Sequence, residues 1–257
     1  MKKIIDFSRF SSIKIGPKVW VEIIEKPLKK YDDLFIVGGA SNLLISEEHP
    51  PLAKLSKSFD YIKLHKNELK IGGATPAGKV AAFCKRADLG GLEFLSGLPG
   101  TIGGAVKMNA GLKEYEISNR LKYVVTSEGI VEAAELNLKY RTSDFSGIVY
   151  EAVFEVEKGF DPKTLKKVSD MRKNQPKEPS AGSVFKNPPG DYAGRLIEAA
   201  GLKGYRIGDM AFSEIHANFM VNLGKGRFKE AIELIETAKY EVRSKFSIEL
   251  QEEIIIV

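Results

Sequence analysis

Two stretches of the 257-residue chain place glycine beside small polar residues more densely than ordinary turns require. One is VGGASNLLIS at 37–46, which holds Gly38, Gly39, Ala40, Ser41 and Asn42. The other is GLEFLSGLPGTIGGAVKMNAG at 91–111, which holds Gly100, Thr101, Gly103, Gly104, Ala105, Asn109 and Gly111. Lacking a Cβ, glycine admits positive φ and lets a ligand or another backbone come close. Successive N–H groups exposed in this way form a concave anion site that suits a pyrophosphate. Ser41, Asn42, Thr101 and Asn109 add side-chain hydrogen-bonding groups beside those glycines. The other use of such glycine is tight turning and close strand packing, the expected use at Gly72-Gly73 and Gly90-Gly91. Neither long segment has the G-x-G-x-x-G spacing of a dinucleotide fold, and no G-x-x-x-x-G-K-[ST] loop occurs. Taken alone, these residues point to a bound phosphorylated cofactor.

The remaining reactive side chains are sparse. A serine-hydrolase triad is disfavoured: Ser183 lacks a G-x-S-x-G elbow, and the chain has 3 histidines, His49, His65 and His216. His49 precedes two prolines in a loop, and His65 lies in a lysine-flanked strand. The single cysteine, Cys84, excludes an internal disulfide and a multi-cysteine metal site, and no metal is expected. On its helix Cys84 reads as a small core residue.

These residues need elements to position them. A strand over 34–37 runs into Gly38-Gly39, and another over 69–71 runs into Gly72-Gly73. Thr75-Pro76 opens a helix with Val80, Ala81, Cys84 and Ala87 inward, ended by Gly90-Gly91. Residues 121–156 read as β-structure in three runs, LKYVV, IVEAAELNLKY and IVYEAVFEVE. In the last run Tyr150, Ala152, Phe154 and Val156 share one face against Glu151, Val153 and Glu155. Asp161-Pro162 starts a helix that ends before Pro176, and another spans 192–200, stopped by Gly201. A long helix over 228–246 carries the stripe Ala231, Ile235, Ala238 and Val242, and a strand over 248–257 follows. Strands and helices mix without strict alternation, so the fold class is α+β rather than doubly wound. The Pro/Lys/Ser/Gly segment 175–182 reads as a boundary between lobes.

With 43% hydrophobic residues the chain builds a real core, and no run of eighteen apolar residues spans a bilayer. Asp6 and Arg9 interrupt the start before any long apolar run, unlike a secretory signal. With the lone cysteine, this places the protein in the cytoplasm. The net charge of +5 suits nucleic acid, an anionic small substrate or a lysine-coated surface. The lysines are dispersed and no RNA-module motif appears, so most are solvated surface and nucleic acid is not an expected partner.

Together the glycine segments and several downstream strings resemble the UDP-N-acetylenolpyruvoylglucosamine reductase family. GGASNLL is similar to its GGGSNLL motif, and EFLSGLPGTIGGAVKMNAG to its long flavin-binding signature. YRTSDF at 140–145, SAGSVFKNP at 180–188, AGRLIEAAGLKGYRIGD at 193–209 and HANFMVN at 216–222 follow in family order. The resemblance implies a two-lobed FAD-binding fold of the PCMH/VAO-like type plus a C-terminal α+β substrate lobe. Its implied lobes are 1–57, 58–172 and 173–246, with a strand over 247–257 returning to the first. It implies FAD between the first two lobes, NADPH as hydride source and UDP-N-acetylglucosamine enolpyruvate as substrate, handled by a monomer without membrane insertion. The short stretch from Arg141 to Ser183 places the chain in the branch that lacks an added substrate-covering loop.

The implied reaction adds hydride to the β-carbon of an electron-poor alkene and a proton to its α-carbon. Such a step needs a cation for the charge that builds on the carboxylate, and an acid. By the resemblance, Arg141 is the cation, since a guanidinium grips a carboxylate with two parallel hydrogen bonds. Its structural alternative is a salt bridge at a strand end. Glu253 is the family's carboxylate near the C-terminus; a surface charge is its alternative, and adjacent Glu252 would replace it on a one-residue slip. The family usually has a basic residue two positions later, where this chain has Ile255. Ser183 is the proton donor, or else a turn hydroxyl. Lys186, Asn187, His216 and Asn218 are the implied substrate contacts, Lys186 with NADPH or phosphate as further options. Another FAD oxidoreductase of the same fold, acting on an alcohol or hydroxy acid, is the enzymatic alternative. A basic nucleotide- or RNA-binding protein is the non-catalytic one.

Overall fold

The computed structural model describes residues 1–27 and 33–257. Its contacts define two units. The first comprises Met1–Lys3, Val21–Gly39 and Pro51–Lys173; the second comprises Ile4–Trp20, Ala40–Pro50 and Asn174–Val257. Within the first unit, Ile24, Ala53, Leu55 and Phe59 pack with Ile148 and Tyr150.

In the first unit, Val21–Ile24 pair in parallel with Leu52–Leu55, which pairs in parallel with Phe35–Ile36. The larger sheet is antiparallel, in the order Gly129–Glu132, Leu121–Thr126, Val149–Glu155, Glu68–Gly72, Ile62–His65. Its central strand, Val149–Glu155, is buried on both faces rather than on the one expected. Ala152 and Phe154 join the main core, and Val153, which lies between them and faces the other way, is fully buried too. A strand covered on both sides loses the alternation that exposure would impose. The run IVEAAELNLKY is strand only through Glu132; its Ala133–Glu135 form a 3-10 turn closed by a capping box. Gly72 and Gly73 serve close packing, since a Cβ on either would lie 2.0 Å from a carbonyl oxygen, of Phe59 and Val149 respectively.

The helix Ala77–Ala87 starts without a side-chain cap, because Pro76 occupies the capping position and the Thr75 hydroxyl donates to the Tyr61 carbonyl. It ends at Asp88, in the left-handed region at φ 52, so Gly90-Gly91 lie beyond its end. Gly90 packs instead against the Gly159 carbonyl. Cys84 is buried on this helix, and burial pushes its thiol up to about 12, as expected of a core residue. The helix Pro162–Met171 begins as expected, with Asp161 accepting from the Lys163 and Thr164 amides.

The second unit carries an antiparallel sheet in the order Ser180–Ser183, Phe219–Asn222, Met210–Phe212, Arg206–Ile207. The helices Ala193–Ala199 and Phe228–Phe246 contribute to its core, where Leu196, Leu234 and Ile235 meet Phe185 and Phe212. Ala231, Ile235, Ala238 and Val242 form the buried stripe read from the sequence, with Leu234 added. The expected strand over 248–257 is ladder only at Ile255–Ile256, parallel to Leu43–Leu44. The segment changes partners along its length, since Glu252 bridges Phe185 first. Leu250 and Ile254 turn into the core. Among the described residues no helix is long and apolar enough to cross a membrane.

Candidate functional site

The two glycine-rich segments meet at Gly38-Gly39 and Gly100-Thr101. A Cβ on Gly39 would lie 2.7 Å from the Gly100 Cα, and one on Gly38 would lie 2.7 Å from the Thr101 hydroxyl. The Gly39 approach is backbone on backbone, which only glycine allows. Gly100 itself sits at φ +92. The second segment is fixed by amide bonds from Ile102 to Thr75 at 2.9 Å and from Gly103 to Gly73 at 2.9 Å. Ala105 is buried in the short helix Ile102–Lys107. Among the described residues of this unit, the N–H groups of Gly38, Gly39, Gly100, Thr101 and Gly104 have no protein acceptor. Lys54, which sequence reasoning missed, donates its ammonium to the Gly38 carbonyl, and burial lowers its pKa. Its only sequence signal is a lysine inside the apolar run LAKL.

Farther along the first segment, in the second unit, Ala40 adopts φ 49 and its carbonyl accepts from the Ser12 amide at 3.1 Å. Asn42 is tied to the C-terminal segment: its Nδ2 donates to the Glu253 carbonyl at 2.9 Å and its carbonyl accepts from Ile255. The Ser41 side chain is half-buried and makes no protein hydrogen bond among the described residues.

Arg141 occupies a positive-φ position at 54° in a clasped loop. The loop is held to the end of Ile102–Lys107: the Ser143 hydroxyl donates to the Lys107 carbonyl at 2.8 Å, and the Lys107 ammonium lies 4.0 Å over the Phe145 ring. The Arg141 guanidinium donates to the Gly111 carbonyl at 2.6 Å and the Asn109 carbonyl at 3.3 Å. It also faces the Glu116 carboxylate at 3.7 Å. Asn109 is buried, with its side chain committed to protein: Oδ1 accepts from Ser118, and Nδ2 donates to Glu116 at 3.0 Å and to the Lys139 carbonyl. Gly111 pairs with Glu116 between the short strands Gly111–Leu112 and Tyr115–Glu116, where a Cβ would lie 2.1 Å from the Tyr115 carbonyl oxygen. Asn109 and Gly111 thus shape the loop around Arg141, a use that their place in a glycine-rich string does not reveal. Glu116 was missed because a lone carboxylate in KEYEI carries no spacing signal.

In the second unit, Ser183 ends a strand whose register shifts between Ser180 and Ser183. Gly182 makes that irregularity at φ +82. The next residues are clamped by Asn218. Its Oδ1 accepts from the Phe185 amide at 3.0 Å, its Nδ2 donates to the Phe185 carbonyl at 2.8 Å, and its own carbonyl accepts from Val184. That buried side chain is therefore spent on the backbone beside Ser183. The His216 Nδ1 accepts from the Asn218 amide at 3.3 Å, and its ring meets Phe219 edge-on at 5.0 Å. Burial holds the imidazole below its ordinary pKa. Asn187 accepts from the first amide of Ala193–Ala199 at 3.1 Å. The Lys186 amide bonds to Gln251 and the Glu253 amide to Val184, both at 2.8 Å, which brings the C-terminal segment alongside Ser183–Lys186. Glu252 is committed to Lys239 at 2.9 Å. Among the described residues, neither the Ser183 hydroxyl nor the Lys186 ammonium has a protein partner.

The C-terminal domain of the UDP-N-acetylenolpyruvoylglucosamine reductases matches residues 175–257. The chain is 46% identical over 253 residues to the enzyme of that name from Helicobacter pylori strain J99, covering 98% of both. It is 41% identical to the one from Campylobacter jejuni strain RM1221, over 99% of this chain and 100% of that one. Among solved structures, the UDP-N-acetylenolpyruvylglucosamine reductase of Thermus caldophilus superposes with a TM-score of 0.88 at 32% identity, covering 100% of this chain and 98% of that one. Likeness of this extent, in sequence and in fold, makes the chain a member of the UDP-N-acetylenolpyruvoylglucosamine reductase family, and an oxidoreductase.

Proposed function

We propose that the chain reduces UDP-N-acetylglucosamine enolpyruvate to UDP-N-acetylmuramate with electrons from NADPH, through a bound FAD, in the cytoplasm and as a monomer. The observation that carries this reading is the Gly38-Gly39 and Gly100-Thr101 contact, flanked by amides without protein acceptors, in a chain alike to the named reductases over 98% of its length. Those amides fit a diphosphate, and a side chain at Gly39 would fill the approach. A bound flavin supplies the hydride that NADPH provides.

The chain's own residues supply binding, charge and a proton. Arg141 stabilises the negative charge that builds on the substrate carboxylate as the β-carbon gains hydride. A guanidinium suits this because it stays protonated throughout. Ser183 gives its hydroxyl proton to the α-carbon, completing the saturated ether. Its backbone is held by neighbouring strand bonds and its hydroxyl is unspent, so the group is free to meet a reacting carbon. Lys186 and Glu253 flank it as substrate-contacting charges, with Asn187 and His216 beside them for the nucleotide-sugar.

An anaerobic two-step titration tests the reading. NADPH should bleach the flavin of the purified holoenzyme, and UDP-N-acetylglucosamine enolpyruvate should restore its colour. Bleaching without restoration would keep an oxidoreductase and remove this substrate; protein purified without flavin would remove both. Ser183→Ala should keep the bleaching and slow the restoration, and equal loss in both steps would make Ser183 structural. Gel filtration checks the monomer.

A further inference from the structure

We propose that Glu116 is a positioning residue that sets the direction of the Arg141 guanidinium. The inference rests on the reading of Arg141 as the cation that meets the substrate carboxylate. One carboxylate touches both parts of the assembly: Oε1 faces Arg141 Nη1 at 3.7 Å, and Oε2 accepts from Asn109 Nδ2 at 3.0 Å. Asn109 in turn presents the carbonyl that accepts from Arg141. The side chains of Arg141 and Glu116 are only 15% and 25% exposed, so water screens the pair weakly. Gly111 is what admits Glu116 here, because a Cβ at that position would lie 2.8 Å from both Cα and Cγ of Glu116.

The arrangement has a chemical logic. Two carbonyls hold the guanidinium through hydrogen bonds, and the Tyr140 ring lies 5.0 Å from its central carbon. The Glu116 carboxylate adds a directional restraint from another side and also offsets some of the positive charge. Glu116 therefore gives up field strength and gains direction. Direction matters because displacing a reacting contact by about 1 Å can cost on the order of a hundredfold in rate.

Holoenzyme variants read by anaerobic stopped-flow separate the steps. Glu116→Ala should slow flavin reoxidation by UDP-N-acetylglucosamine enolpyruvate by roughly 10- to 100-fold. Flavin reduction by NADPH should stay within about twofold of wild type. Glu116→Gln keeps an acceptor for Asn109, and should recover most of the reoxidation rate that alanine loses. Four results would overturn the assignment: reoxidation in the alanine variant at the wild-type rate, equal slowing of both steps, a glutamine variant as slow as alanine, or loss of bound flavin in the alanine variant. If wild-type flavin is not reoxidised by this substrate at all, the functional reading fails first. If wild type reoxidises and Glu116→Ala matches it, only the role of Glu116 fails.

Discussion

Arg141 spends its guanidinium on the carbonyls of Asn109 and Gly111 and on the Glu116 carboxylate, within its own unit. Ser183 and Lys186 do the reverse: their backbone neighbours are pinned by Asn218 and Gln251, while their polar ends meet no protein group among the described residues. The contrast follows from the chemistry each would perform. A permanent cation needs no activation, so what the fold can add is direction. A hydroxyl is a poor acid that must touch the reacting carbon, so the fold fixes its main chain and leaves its oxygen unspent.

The strongest challenge to this contrast is a Cβ at each region's glycine. Gly111→Ala meets the Tyr115 carbonyl oxygen at 2.1 Å, where backbone cannot yield. It should cost on the order of 3–5 kcal/mol in urea denaturation, among the largest single-site effects. Asn218→Ala leaves the Phe185 amide and carbonyl without partners, at about 2–3 kcal/mol, with a matching fall in Tm. Asn218→Asp keeps only the acceptor half and should recover part of it. Gly182→Ala has open space around its Cβ but retains φ +82, so its cost is about 1–2 kcal/mol. If Gly182→Ala destabilised more than Gly111→Ala, the two regions would not differ as described.

The smallest effect expected is a pH dependence at His216. Burial holds its imidazole below the ordinary value, so just below about 6.5 the unfolded chain binds more protons there than the folded one. The contribution to stability is therefore full above that pH and is lost as pH falls. Wild-type Tm should drop between pH 7.5 and 5.5, and His216→Asn should drop less across the same interval. Equal slopes would show that other groups govern the acid side.

The sequence was most legible where one chemical rule governed the element. Asp161-Pro162 capped its helix as read, and the stripe from Ala231 to Val242 located the last helix. Reading failed where two rules competed. Thr75 was read as a cap, but its hydroxyl is drawn to Tyr61, and Asp88 ends the helix in a conformation usually given to glycine. The segment 248–257 looks like one strand because its apolar residues are real core residues, yet it divides itself between two partners. At the candidate site, the glycine strings were visible as types, while the pairing of Gly39 with Gly100 joins distant positions that no local pattern links. Glu116 and Lys54 stayed hidden for the same reason: each acts through a contact that folding creates.

The second unit's core joins Ile13 and Ile15 with Leu250 and Ile254. During synthesis at ordinary rates, those early isoleucines wait on the order of tens of seconds before their last partners leave the ribosome. Until then that core lacks two of its buried residues, Leu250 and Ile254. Completion of this core thus waits on the segment that carries Leu250 and Ile254, rather than on formation of any single helix.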